Sequence, residues 1–218
     1  FILQLVIRLK DVDWGLYDND GPDGMPNSGD DDGFVDALAV IHPTAGAECG
    51  GLDKDDRIWS HRWSLRFAAG QAFATTVPAA SGGFITIDDY LIQPLFACNE
   101  VDLSEIGVFS HELGHAFGLP DLYDTNGSID GKHAGAGNWD LMSSGSWGCD
   151  GNSPESPCHM GAWSKSILGW VDIVTAPAGT DIGTVTLNPV ETGGQVYRVD
   201  AGDDSGEYFL LENRQRLG

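Results

Sequence analysis

Apolar positions along the chain recur with two periods, one near 2 and one near 3.6, separated by long polar stretches. Residues 1–10 (FILQLVIRLK) alternate enough to predict a strand. A loop rich in Asp, Gly, Pro and Asn fills roughly 11–33. Phe34–His42 (FVDALAVIH) predicts a second apolar strand ending at Pro43, and Arg57–Arg66 (RIWSHRWSLR) and Gly83–Gln93 (GFITIDDYLIQ) predict two more. Ile106, Phe109, Leu113, Ala116 and Phe117 then follow helical spacing, with Ser104 as the expected N-cap and Gly118 as the stop. Between Pro120 and Gly161 the chain is dominated by Gly, Ser, Asn and Asp with little periodicity. Loops of this length in compact domains are usually functional. Met160–Leu168 predicts a second helix closed by Gly169, and TVTLNPV, QVYRVDA and EYFLLEN predict short strands near the end. No repeat occurs at solenoid periods. The expected class is α+β.

The predicted helix carries the sharpest chemistry, in the run HELGHAFGLPD from His111 to Asp121. Positions i and i+4 share a helix face, so His111 and His115 can bind one metal together. Glu112 lies beside such a metal without having to ligate it, where a general base for a water belongs. Gly118 can take a positive φ and end the helix, letting the chain bring Asp121 back as a third ligand. Three protein ligands with an open position is the arrangement catalytic zinc requires. A helix that carries two histidines only for packing or solubility would leave the base, the stop and the third ligand unexplained.

Charge narrows the partners. The formal net charge is −22, from 33 acidic against 11 basic residues. Such a surface repels nucleic acid phosphates and anionic lipid, and no apolar run approaches the roughly 18 residues of a membrane helix. The opening FILQLVIRLKD lacks the basic start and small-residue cleavage site of a secretory signal. The closing EYFLLENRQRLG reads as a strand cut off before its partner, so the chain is expected to be an excerpt of a longer precursor. Four cysteines permit three connectivities. The Cys149–Cys158 stretch is a Gly/Asn/Ser/Pro loop suited to local closure, which leaves Cys49–Cys98 as the second bridge. No CxxC pair favours a structural zinc instead, and disulfides imply an oxidising, extracellular setting.

Nine Asp and no Lys or Arg fall between Asp11 and Asp36. A solvated acidic face rarely shows such regular Asp-Gly spacing. Asp18, Asp20, Asp23, Asp30, Asp32 and Asp36 are the candidate oxygen ligands of a calcium ion. The repeated Asp-x-Asp-Gly unit resembles the calcium loops of dockerins and thrombospondin type 3 repeats, although no Glu closes a twelve-residue EF-hand loop.

Downstream, Asn138-Trp139-Asp140-Leu141-Met142-Ser143-Ser144-Gly145 places a Met in a tight polar turn. The HExxHxxGxxD string followed by this turn resembles a metzincin. The words YDNDGPDGMPNSGDDDGFVD, IWSHRW, ITIDDYLIQP, HELGHAFGLPDLYD, NWDLMSSGSW and GAWSKSILGWV resemble the immune inhibitor A (M6) peptidase family, in order, over nearly the whole chain. The resemblance implies a secreted bacterial zinc endopeptidase, calcium-stabilised and made as a larger precursor. His111, His115 and Asp121 would hold zinc, Glu112 would be the base, and Met142 would support the site as a Met-turn. It implies one catalytic domain over 1–218: a mixed twisted sheet with the calcium loop and active-site helix in an N-terminal lobe (1–118), a cleft, and a C-terminal lobe (119–218) with the third ligand, the Met-turn, a helix and short strands. One departure stands out. Astacin-like metzincins place a Tyr two residues after the Met, where this chain has Ser144. Tyr123, His133 and Tyr208 are the remaining candidates for an oxyanion donor. His42 and His61 on predicted strands, and His159 beside Cys158, are expected to be structural.

By analogy with metzincin clefts, a protein or peptide substrate is expected to pair with the Gly83–Gln93 strand. A rival reading is a secreted calcium-dependent binding or adhesion module with a vestigial zinc site, but such a site has no use for Glu112. A third is a zinc hydrolase of non-peptide amides.

Overall fold

Ile2 and Val6, four residues apart, bury their side chains together, and the chain opens as a helix, α1 (Ile2–Val6), in place of the expected strand. The computed structural model describes residues 2–126, 133–176, 179–202 and 206–215. Backbone contacts divide the α+β chain into two compact units, Phe1–Gly118 and Leu119–Gly218.

In the first unit, β1 (Ala39–Ala45) lies parallel to β5 (Asp89–Phe96), and β2 (His61–Ser64) lies antiparallel on the other side of β5. The strand order is therefore β1-β5-β2, with β5 in the centre. The predicted strand over Phe34–His42 starts later and runs through Pro43. That is tolerable because β1 is an edge strand, where a missing N–H costs no ladder bond. The run expected as one strand from Arg57 to Arg66 breaks at Ser64. Its hydroxyl accepts the N–H of Phe67 at 3.4 Å and caps α2 (Leu65–Ala69), which Gly70 ends. Gly83–Gln93 likewise splits, into β4 (Phe84–Ile87) and the first part of β5. β4 pairs with β3 (Phe73–Pro78) as a hairpin, so the two halves belong to different sheets. Val6, Trp14, Val40, Leu65, Ile85, Ile87, Tyr90 and Ile92 form the core between these elements.

α3 (Ile106–Ala116) leaves β5 through a short loop and packs beside both β5 and β2. Its N-cap is Glu105, one residue later than expected. Gly118 follows in the left-handed region at φ 86°, where an L side chain would be strained, and there the helix direction ends.

The second unit pairs β6 (Ile173–Ala176) parallel to β7 (Val196–Asp200), and β7 antiparallel to β8 (Tyr208–Leu211). The predicted TVTLNPV strand is absent among the described residues. Pro189 offers no N–H to a ladder, and only an isolated bridge to Asn213 forms there. α4 (Ala162–Ile167) matches the second predicted helix, with Gly169 just beyond it at φ 68°. Met142, fully buried, packs with Leu119, Leu141 and Met160. Part of the long polar segment, 127–132, lies outside the described residues. Both disulfides are present, Cys49–Cys98 and Cys149–Cys158. Among the described residues no helix is long and apolar enough to cross a membrane.

Candidate active site

One turn of α3 separates His111 from His115, and their rings stand edge to face with centroids 4.8 Å apart. His111 and Glu112 are both buried. Burying an acid and an imidazole side by side on one short helix, with the second imidazole half-buried, is costly unless they have polar or metal partners. One ligand atom from each of His111, His115 and Asp121 lies within 4.8 Å of the other two. Two imidazole nitrogens and a carboxylate oxygen suit zinc or a similar borderline divalent ion.

A second cluster of possible metal ligands sits in the acidic loop. It gathers Asp18, Asp20 and Asp36, again with one oxygen of each within 4.8 Å of the others. Each of these carboxylates is held by a backbone amide: Asp18 by Gly33, Asp20 by Asp32, and Asp36 by Asn19, at 3.2–3.3 Å. Burial, foremost, and the neighbouring Asp31, Asp32 and Asp20 push the Asp18 carboxyl above the usual carboxylate range, against the opposing Gly33 amide. Asp36 shifts the same way, desolvation foremost. Asp23, Asp30 and Asp32 do not join this cluster. Asp23 accepts the Met25 N–H at 2.7 Å, Asp30 accepts from the Ser28 hydroxyl, and Asp32 accepts the Phe34 N–H at 2.8 Å.

Asp31, absent from the sequence-derived ligands, is buried and braces the loop by accepting the amides of Gly21 and Ser28.

The catalytic-domain model described as "Immune inhibitor A peptidase M6, catalytic domain" matches residues 3–171. The chain belongs to this peptidase family. "Pre-pro-metalloprotease PrtV" of Vibrio cholerae serotype O1 is 36% identical over 160 residues, which is 72% of this chain and 16% of that protein. "Immune inhibitor A" of Bacillus thuringiensis subsp. alesti is 36% identical over 168 residues, 72% of this chain and 23% of that protein. The chain thus matches less than a quarter of the length of these relatives.

Within this M6 domain the other histidines have local duties. His42 is buried on β1 with Nδ1 2.9 Å from the Thr44 hydroxyl, and burial lowers its pKa. His61 on β2 holds the Trp59 carbonyl at 2.8 Å and meets Tyr90 edge-on. His159 contacts the carbonyl of Met160. Of the three oxyanion candidates, Tyr208 carries the Arg198 guanidinium 4.1 Å above its ring, while Tyr123 and His133 are exposed. A cavity of about 580 Å³ in the first unit is lined by Asp20, Asp32, Asp36, Phe34, Leu113 and Phe117; neither histidine lines it.

The expected pairing of substrate with Gly83–Gln93 is overturned. β5 is flanked on both sides, and Thr86 of β4 exchanges backbone bonds with Gly33 and Val35 on the side away from β3. Two residues that sequence reasoning missed lie next to the Met142 turn. Asp140 is buried and bonds three groups, and Arg214 donates to the carbonyls of Trp139, His159 and Met160. An Asp two residues before a turn amide is the signal that could have revealed the first.

Proposed function

We propose that this M6 domain is a zinc-dependent endopeptidase, with His111, His115 and Asp121 as the ligands and Glu112 as the general base. The convergence of those three donor atoms around the buried start of the HELGH turn carries the reading. Zinc, when bound, acidifies a water and polarises the scissile carbonyl. Glu112, next to His111 on the helix, takes the proton from the attacking water and delivers it to the leaving amine. Met142, in a Met-turn, supports the site as a packed apolar side chain rather than as a ligand.

The extended substrate lies along β2. This strand is an edge of its sheet, and it is the edge that adjoins α3, so its outward amides and carbonyls are placed for main-chain pairing near the histidines. Calcium occupies the Asp18–Asp20–Asp36 cluster. Three carboxylates fixed by backbone amides, one of them buried and resisting ionisation, gain from a hard cation. Two disulfides support an oxidising, extracellular location. A relative named as a pre-pro-metalloprotease supports release from a longer precursor.

The test is the Glu112→Gln variant. Its zinc content should equal wild type, while casein hydrolysis falls by at least about 100-fold, the lower end for a lost general base. Wild-type hydrolysis should vanish with a zinc chelator. Chelator-insensitive cleavage, or an E112Q variant as active as wild type, would refute the proposal.

A further inference from the structure

Asp140 sits at the head of a chain of hydrogen bonds that ends on the backbone next to Asp121. The residue is 3% exposed, and its carboxylate spans two segments. Oδ1 accepts the N–H of Met142 at 2.8 Å, whereas Oδ2 accepts the N–H of Gly161 at 2.7 Å and the Ser164 hydroxyl at 3.4 Å. The backbone carbonyl of the same residue accepts the amides of Ser143 and Gly145 at 3.0 and 3.1 Å. One side chain and its own peptide group therefore fix four of the backbone amides that shape the turn and anchor it to the start of α4.

The turn passes this constraint on. The carbonyl of Met142 accepts the N–H of Leu122 at 2.7 Å, and the carbonyl of Leu122 accepts the N–H of Ala136 at 2.8 Å. Leu122 is thus held on both sides of its backbone, one residue after Asp121. The fully buried Met142 side chain, packed with Leu119, Leu141 and Met160, closes the same knot from the apolar side. All these bonds lie within the second unit. Gly145 completes it, since a Cβ there would run into the Asp140 carbonyl.

We propose that Asp140 is the positioning residue for the third metal ligand: through the Met142 turn and Leu122 it fixes where the Asp121 carboxylate stands. The chemistry suits the task. A carboxylate accepting buried amides is a strong, directional anchor, and the partners behind a metal ligand set its orientation and hence its contribution to affinity. This rests on the zinc reading given above.

The experiment compares Asp140→Asn and Asp140→Ala with wild type and with Val196→Ala. Val196 is fully buried in a separate cluster of the same unit, so V196A lowers stability without touching the bond chain. Asn keeps the shape of Asp but presents an amide NH₂ to one of the two backbone N–H groups; it is the variant that keeps the fold if D140A does not. Zinc affinity is read by competition with a chromogenic chelator, and ligand geometry by the visible d–d spectrum of the cobalt-substituted protein. Thermal unfolding of the metal-free proteins reports plain structural damage.

D140N should bind zinc at least about tenfold more weakly, in the range typical of lost support behind a ligand, and should shift the cobalt bands. V196A should unfold earlier yet keep wild-type affinity and spectrum. If D140N loses stability but keeps wild-type zinc affinity and cobalt bands, Asp140 is structural only and the proposal is overturned. If wild type itself binds neither metal at this site, the zinc reading falls and this proposal falls with it.

Discussion

The imidazoles of His111 and His115 meet edge to face, with 4.8 Å between ring centroids, on a helix that stops within three residues of the second ring. The stop matters as much as the spacing. With Gly118 at φ 86° the chain leaves the helix axis in time for Asp121 to reach both rings' neighbourhood. A longer helix would have carried residue 121 about 9 Å further along its axis.

Removing any one of the three donors should therefore release zinc. His111→Ala, His115→Ala and Asp121→Ala should each weaken zinc binding by more than the 10- to 100-fold typical of a lost supporting residue. Competition with a chelator measures this directly. A variant among the three that binds zinc like wild type would remove that residue from the ligand set.

Calcium should stabilise the domain in a pH-dependent way. The Asp18 carboxyl titrates above its ordinary value because burial, foremost, and nearby acids disfavour its charge. A carboxyl with a raised folded pKa favours the fold while protonated. That contribution is present below the unfolded pKa and is lost as pH rises through the folded one. At neutral pH the metal-free loop therefore carries a penalty that a cation removes. Calcium at a hundredfold over its Kd should add about 2.7 kcal/mol, or roughly 5–10 °C in Tm for a domain of this size. The gain should already shrink above the ordinary carboxylate value of 3.8, as pH falls through the raised Asp18 value and protons compete for the oxygens. An equal calcium effect at acid and neutral pH would count against the cluster, as would no change in Asp18→Asn.

The two disulfides should differ in worth. They close separations of 49 and 9 residues. On the loop-entropy estimate the Cys49–Cys98 bridge contributes roughly 4 kcal/mol and the Cys149–Cys158 bridge roughly 2.6 kcal/mol. Paired Cys→Ala variants followed by denaturant unfolding give the comparison; a larger loss for the short loop would contradict it.

Substrate pairing along β2 predicts sensitivity to the peptide backbone. An extended peptide with N-methyl groups on alternate amides should bind at least tenfold worse in the register that faces β2 and about normally in the other. Equal binding by both would argue against strand addition at that edge.

The helix from Ile106 was legible because its apolar period, its i, i+4 histidines and its terminal glycine all point the same way. The start of the chain was not. FILQLVI is apolar without strict alternation, and only the packing of Ile2 and Val6 onto the core selects helix over strand. Ser64 hid a strand-to-helix junction inside an alternating run, because a cap is read from its hydroxyl bond and not from hydropathy. In the acidic loop, adjacent Asp30, Asp31 and Asp32 look alike in sequence. The fold turns Asp31 inward to hold the amides of Gly21 and Ser28 and leaves its neighbours out, a distinction set by how the loop folds and not by residue type. The bonds of Asp140 to Gly161 and Ser164 carry no signal in the sequence, because these partners lie more than twenty residues away.

Anomalous diffraction from crystals of the zinc-loaded protein, recorded on both sides of the zinc absorption edge, would locate the metal itself. A single strong peak within bonding distance of His111, His115 and Asp121, with Glu112 beside it and not ligating, is the predicted result. Zinc bound elsewhere, or no peak among these three side chains, would contradict the account.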